Sequence, residues 1–430
     1  MSAPFPGSYY AASAQPLDAF PPLDGSTTAD VCVVGGGFTG INTAIELAER
    51  GLSVVVLEAN RVGWGASGRN GGQVTGSLSG DAAMAREFRR TLGAEADRFI
   101  WDLRWRGHAI IKARIAKYAI ACDLKHGHAQ TAMKPAHVAE LRAMHETAVA
   151  RGMGSEVEFA EGRAAMDAIL ESPLYLAGLV NRRNMHLHPL NLVRGEARAA
   201  AGLGVRICED TPVTGLSLGP RPEVRTATGT VRAATVLLAG NAYHRLARGR
   251  MRGALFPASL GIVATEPLDE TTARAINPQD LAVYDNRFVL DYHRLTADRR
   301  LIFGGGTNYS GRDSTDPATE LRPAIEATFP RLRGIGIAYR WTGQDGIIIN
   351  RIPHLGRLAP NVFYAEGYSG HGIATTHIVA EIMGRALTGT MSEFDVFANV
   401  RHLRLPFGAW AGQQALALGM WWFGLRERLR

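Results

Sequence analysis

Glu58 closes the apolar run Ser53-Val54-Val55-Val56-Leu57, 23 residues after Gly35 in the segment Val31-Cys32-Val33-Val34-Gly35-Gly36-Gly37-Phe38-Thr39-Gly40. A carboxylate at that spacing accepts hydrogen bonds from a ribose diol and disfavours a 2′-phosphate. The glycines supply what the rest of such a ligand needs. Gly35 permits a tight turn out of a strand, Gly37 lets the backbone approach a pyrophosphate, and Gly40 lets the following helix sit close to the sheet. With Phe38 and Thr39 in its first turn, that helix offers free N–H groups and a positive dipole end to the phosphates. Strand, turn, helix, strand and acid together predict a site for the ADP half of a dinucleotide.

A second glycine-rich stretch follows at once. Arg61 precedes Gly63-Trp64-Gly65-Ala66-Ser67-Gly68-Arg69-Asn70-Gly71-Gly72-Gln73, too rich in glycine for a regular helix or strand. Its backbone at Gly65, Ala66, Ser67, Asn70, Gly71, Gly72 and Gln73 can face a flat or anionic ligand closely. Arg61 and Arg69 either neutralise phosphate or are plain surface charges. A nicotinamide enzyme has no need of this loop so soon after the acid, whereas an enzyme that wraps FAD along its whole length does. A third loop, Gly367-Tyr368-Ser369-Gly370-His371-Gly372, precedes a helix predicted to begin near Ile373, so its N–H groups also point at an anionic locus.

These motifs, with Ser8-Tyr9-Tyr10-Ala11-Ala12-Ser13 and Ala264-Thr265-Glu266-Pro267-Leu268, span almost the whole chain. In them the sequence resembles the FAD-dependent amine and amino-acid oxidoreductases of the D-amino-acid oxidase and sarcosine oxidase superfamily, within it the γ-glutamylputrescine oxidoreductase branch. The resemblance implies an α/β fold: a Rossmann-like FAD-binding domain and a discontinuous α+β substrate domain built on an antiparallel sheet. It implies that the strand Thr235–Leu238, ending in the small-residue turn Ala239-Gly240, returns to the dinucleotide-binding sheet, with the backbone near Val213 at the adenine. The loop from Gly367 to Gly372 would meet the flavin N1–C2=O edge, with Gly343 and Trp341 close by. His371 would stabilise charge on the flavin, sit at the oxygen site, or merely close the loop. Trp341 would wall the pocket or fill core. Tyr292 and Arg294 share one face of a strand whose sheet roofs the flavin in relatives, which makes both pocket candidates.

Two departures narrow the chemistry. The sarcosine oxidase pattern carries a carboxylate-binding lysine two residues beyond the His-Gly pair, where Ala374 stands here. Any substrate carboxylate then falls to an arginine, with Arg294 and Arg351 as candidates. The lysine that speeds reaction with oxygen in such enzymes is also missing, since the lysines are Lys112, Lys117, Lys125 and Lys134 only. Non-covalent FAD is expected, because no cysteine follows Cys208 and Gly65 occupies the place of the flavin-linked histidine of the dimethylglycine dehydrogenase type.

The elements that must hold these groups are legible in outline. A chain of 430 residues that is 46% hydrophobic can bury a large core over two or three domains. Residues 1–23 read as an extended arm. Ranges 24–100, 185–258 and 338–395 read as the FAD-binding domain, 101–184 and 259–337 as the substrate domain, and 396–430 as an apolar tail. Residues 81–151 read as long helices, and the face Trp101, Arg104, Trp105 and His108 as helix packing.

Three widely spaced cysteines argue against disulfides and a zinc site; no metal is expected, and a reducing cytoplasm fits. The proline-rich start lacks a secretory pattern. The net charge of +7 is spread without aromatic clusters, so no nucleic-acid partner is expected. From Leu405 to Leu425 no charge occurs, and three tryptophans precede a basic end. That pattern reads as an interfacial helix touching the inner face of a membrane, or as a cover over a domain or oligomer contact.

The resulting expectation is an enzyme that oxidises a C–N bond in an amine or amino acid, giving an imine that hydrolyses, with a γ-glutamylputrescine-like or ω-amino substrate. Oxygen or a quinone is the acceptor. The alternatives are a membrane-linked dehydrogenase of a cyclic or secondary amino acid such as pipecolate or proline, and a non-catalytic FAD-fold subunit of a larger assembly.

Overall fold

The computed structural model describes residues 3–246, 249–287, 289–405, 412–420 and 422. Two sheets organise them. The first has eight strands and is built outward from Gly25–Val34, whose apolar second half is buried. That strand pairs in parallel with Val54–Leu57 on one side and Gly229–Leu238 on the other. Arg206–Cys208 and Val362–Glu366 extend the parallel order outward. Strands buried on both faces read as continuous apolar runs, as Val54–Leu57 does. Helices Phe38–Ala48, Pro189–Gly202 and Gly372–Leu387 belong to the same core. The excursion expected after Val213 is the antiparallel pair Gly215–Ser217 and Glu223–Arg225.

The second sheet has nine strands and is antiparallel except where Ala282–Asp285 runs parallel to Lys125–Ala132. Its order begins Ile337–Ile348, Leu255–Thr265, Leu301–Asn308, Tyr292–Leu295. This pairing divides the chain differently from the ranges read in the sequence. Ile337–Ile348 pairs along its length with Leu255–Thr265, so residues expected in the FAD-binding part lie in the second sheet. Gln73–Val74 also joins it, through Ala177–His186. Conversely, helix Ala96–Lys117 runs through the boundary expected at residue 100 and packs on the first domain. There Arg114 donates to Glu46 and Asn42, and Arg106 to Glu381 and Glu393. The helical stretch expected to reach residue 151 is interrupted by the strand Lys125–Ala132.

The N-terminal arm is anchored rather than loose. It contains the short helix Tyr9–Ser13, capped by Ser8, and Tyr10 is fully buried. At the other end, Gln413 donates to the Pro257 carbonyl while Leu418 and Trp422 are exposed. Residues 406–411, 421 and 423–430 of the expected interfacial helix lie outside the described part. No helix among the described residues is long and apolar enough to cross a membrane.

Gly40 shows why the first helix can sit where it does. A methyl group there would lie 1.9 Å from the Gly35 carbonyl oxygen and 3.1 Å from Val33 Cγ1. The contact is backbone against backbone, so a rotamer change cannot relieve it. Gly40→Ala is expected to destabilise the fold by about 1–3 kcal/mol, as overpacking does, and to weaken retention of the ligand at the helix start. Thermal melting and cofactor content of the purified variant check this.

Candidate functional site

One cavity of about 1060 Å³ is lined by residues of both sheets. Along one part it follows Gly35, Gly37, Phe38 and Thr39, then Glu58, then Val213, Ala239 and Gly240. Gly37 is the N-cap of Phe38–Ala48 and contributes no side-chain cap; the Phe38 N–H donates to Ser67 Oγ at 2.9 Å. Glu58 accepts from the Gly36 N–H at 2.7 Å and the Asn60 N–H at 2.9 Å, and burial raises its carboxyl above the usual range. Next come Gly65, Ala66, Ser67, Arg69, Asn70, Gly71 and Gln73. Asn70 holds that loop by donating to the Ala66 and Ser67 carbonyls and accepting from the Gly72 N–H.

The second helix start is at Gly372–Leu387, where the N-cap His371 makes no side-chain cap bond. Tyr368, Ser369, Gly370, His371, Gly372 and Ile373 all line the cavity. Ser369 fixes this loop to the second sheet: its N–H donates to the Gly346 carbonyl and its Oγ accepts from the Ile348 N–H. It does so at φ 49°, an unusual conformation for a residue with a side chain. Burial lowers the pKa of His371 and so favours neutral imidazole; its Nδ1 has no partner, and its ring meets Tyr284 edge-on at 6.3 Å.

Gly343, Tyr292 and Arg351 also line the cavity, so most residues singled out in the sequence come together. Six do not. Gly40 and Gly72 are packing positions, the latter with φ +72° against the Leu187 carbonyl. Gly367 turns the chain at φ +80° and donates to Asn241 Oδ1. Arg61 is turned to Glu209 and Asp210 instead of the cavity. Trp341 is core: its indole N–H donates to the Arg69 carbonyl and its ring packs on Tyr10. Arg294, read as a carboxylate ligand, is buried and spends its donors on protein oxygens, namely the Gly71 and Leu187 carbonyls at 2.8 Å and the Tyr10 hydroxyl at 3.1 Å.

Sequence reasoning did not choose Tyr243, Tyr284, Tyr309, Gln344 or Asp345, and all five line the cavity. Asp345 sits four residues beyond Trp341, and an acid inside an otherwise uncharged strand segment was the available signal. Among the described residues no cluster could hold a metal ion.

Residues 30–386 match the family described as FAD dependent oxidoreductase (DAO). The chain belongs to that family. It is 40% identical to the γ-glutamylputrescine oxidoreductase of Escherichia coli K12 over 98% of both chains. A relative from Haemophilus influenzae, named only as an oxidoreductase, is 34% identical over 98% of this chain and 97% of its own. Among solved structures, glycine oxidase from Geobacillus kaustophilus superposes with a TM-score of 0.70 at 20% identity, over 87% of this chain and 99% of its own. The L-proline dehydrogenase from P. horikoshii does so with 0.68 at 20%, over 87% and 99%. These two likenesses show the fold.

The protein is therefore an FAD-dependent oxidoreductase, and its residues fit the cofactor. Two helix starts without side-chain caps, a carboxylate at the ribose distance and glycine backbone at Gly35, Gly37 and Gly370 border one continuous cavity.

Arg294→Met would leave the Gly71 and Leu187 carbonyls without their donor. A buried unsatisfied polar group costs about 1–3 kcal/mol, so a clear fall in unfolding free energy by urea titration is expected. Were Arg294 a substrate ligand instead, amine affinity would drop with stability unchanged.

Proposed function

We propose that the protein oxidises the C–N bond of an extended amine of the γ-glutamylputrescine type. FAD, when bound, would supply the redox chemistry, a two-electron oxidation at the carbon beside the nitrogen. The chain's own residues bind, orient and exclude water. In this reading Glu58 holds the ribose, and the start of Phe38–Ala48 with Ser67 and Arg69 holds the pyrophosphate. The start of Gly372–Leu387, with neutral His371, faces the edge of the ring where negative charge collects. Tyr284, Tyr292 and Tyr309 wall the substrate space.

The observation that carries the proposal is that Arg351 lines the cavity together with Tyr284, Tyr292 and Tyr309. Arg351 adopts φ 59° at the turn after Ile337–Ile348, and its charge opposes the upward shift that burial gives the Tyr309 hydroxyl. It is thus a cation bordering the same cavity as these tyrosines, suited to a substrate carboxylate. No lysine lines the cavity, so a grip on a short amino acid through lysine has no residue to perform it. The name of the Escherichia coli relative supports the choice of substrate.

Under anaerobic conditions γ-glutamylputrescine is expected to bleach the yellow protein, and proline or pipecolate to leave it yellow. The reverse result overturns the substrate assignment; admitting air, then a quinone, ranks the acceptors. Arg351→Gln should raise KM for the carboxylate-bearing substrate by about tenfold to a hundredfold, the equivalent of roughly 1.5–3 kcal/mol for a charged hydrogen bond. Steady-state kinetics on the FAD-loaded variant check it.

A further inference from the structure

The cavity is bordered by two acids, Glu58 and Asp345. Glu58 is engaged by the backbone N–H groups of Gly36 and Asn60. Asp345 is different. It lies on Ile337–Ile348 opposite Ala258, beside the loop that carries His371. It is partly exposed where it borders the cavity, its Oδ2 is enclosed with no hydrogen-bond partner, and the nearby N–H groups of Gly346 and Gly370 favour its charged form. Arg351 acts on it through space only. A carboxylate in so enclosed a place gains from a ligand that brings an N–H to the part of it that borders the cavity.

We propose that Asp345 receives an ammonium group of the substrate and makes the site selective for cationic amines. The inference rests on reading this cavity as an amine site. Its surroundings suit such a group. Tyr292, Tyr309 and Tyr243 border the same space and feel the Asp345 charge, and tyrosine faces attract cations. Arg351 is close enough for its opposite charge to act on Asp345, so the cavity offers a place for an ammonium and a place for a carboxylate. A compound with both charges satisfies both residues. A dicarboxylate without an amine leaves Asp345 unpaired and adds repulsion.

The groups facing Asp345 determine how this recognition depends on pH. They are Arg351 after its own strand, Tyr309 from the segment after Leu301–Asn308, Tyr292 from its strand and Tyr243 after Gly229–Leu238, with His371 bordering the same cavity from the loop next to Gly370. Burial shifts the three tyrosines upward and His371 downward, so neutral forms are favoured at all four. Burial raises Asp345 to about 6, against the pull of the Gly346 and Gly370 N–H groups and of Arg351. The carboxylate is therefore charged above that pH, and affinity for an ammonium is lost as pH falls through it.

The test is calorimetric titration of the FAD-loaded protein with tert-butylammonium, which has no hydrogen on the carbon beside nitrogen and cannot be oxidised. It is run between about pH 5 and about pH 8, around the reference range for a raised carboxylate. Wild-type affinity is expected to be constant at the upper end and to fall about tenfold per unit below the midpoint, as one proton competes with the ligand. Asp345→Asn, nearly isosteric, is expected to bind about tenfold more weakly or worse at the upper end, a loss of about 1.4 kcal/mol or more, with a flat profile. Binding by Asp345→Asn that matches wild type in strength and pH dependence overturns the proposal. If that variant fails to hold FAD, the wild-type profile alone decides, and a flat one overturns it. Should the probe follow Asp345 while no amine bleaches the flavin, the reaction assignment fails and the anchor stands. Should amines be oxidised while Asp345→Asn binds the probe normally, the anchor fails and the reaction stands.

Discussion

Everything in the molecule depends on aiming backbone N–H groups from two separate helices into one cavity. Such groups have no partner within their own helix, and a side-chain cap would block the ligand. Both helices lack one: glycine fills the N-cap of Phe38–Ala48, and His371 at the other makes no capping bond. The first helix is positioned by the close approach of Gly40 to the Gly35 carbonyl. The second is positioned by Ser369, whose strained backbone and hydroxyl tie its loop to the strand Ile337–Ile348. The cavity thus inherits its shape largely from main-chain contacts, with the Ser369 hydroxyl as a side-chain tie.

Arg294 carries the same logic across the domain boundary. Its guanidinium joins the second sheet to the glycine loop at Gly71, to the Leu187 carbonyl and to Tyr10 of the N-terminal arm. Tyr10 in turn packs on Trp341, whose indole N–H holds the Arg69 carbonyl. Arm, glycine loop and substrate sheet are therefore one connected unit. This explains why a proline-rich leader contains a buried tyrosine pair at all.

The part of the cavity wall at Gly35, Gly37 and Glu58 was legible because its signals are local. Strand, glycine spacing, helix and acid all lie within residues 31–58, and glycine at Gly35 or Gly37 has a backbone reason visible without a fold. Much of the rest was not, because its meaning depends on pairing between distant strands. Arg61, Arg294 and Trp341 have the right residue types near the right motifs, yet Glu209, Gly71 and Tyr10 claim them from elsewhere in the chain. Asp345 was passed over for the converse reason: an acid in Gly343-Gln344-Asp345-Gly346 reads as a turn until the register with Leu255–Thr265 makes it a strand beside the cavity. The domain ranges failed at Ile337–Ile348 and Ala96–Lys117 because periodicity identifies an element but not the sheet or helix it joins.

The central claim is that this cavity cleaves a C–H bond beside a nitrogen. Its most direct test is rapid anaerobic mixing of the FAD-loaded protein with γ-glutamylputrescine, alongside the same compound deuterated on the carbon bearing the terminal amine. The account predicts flavin bleaching in a single turnover, slowed by deuterium. Bleaching at equal rates, or no bleaching with either compound, would contradict it.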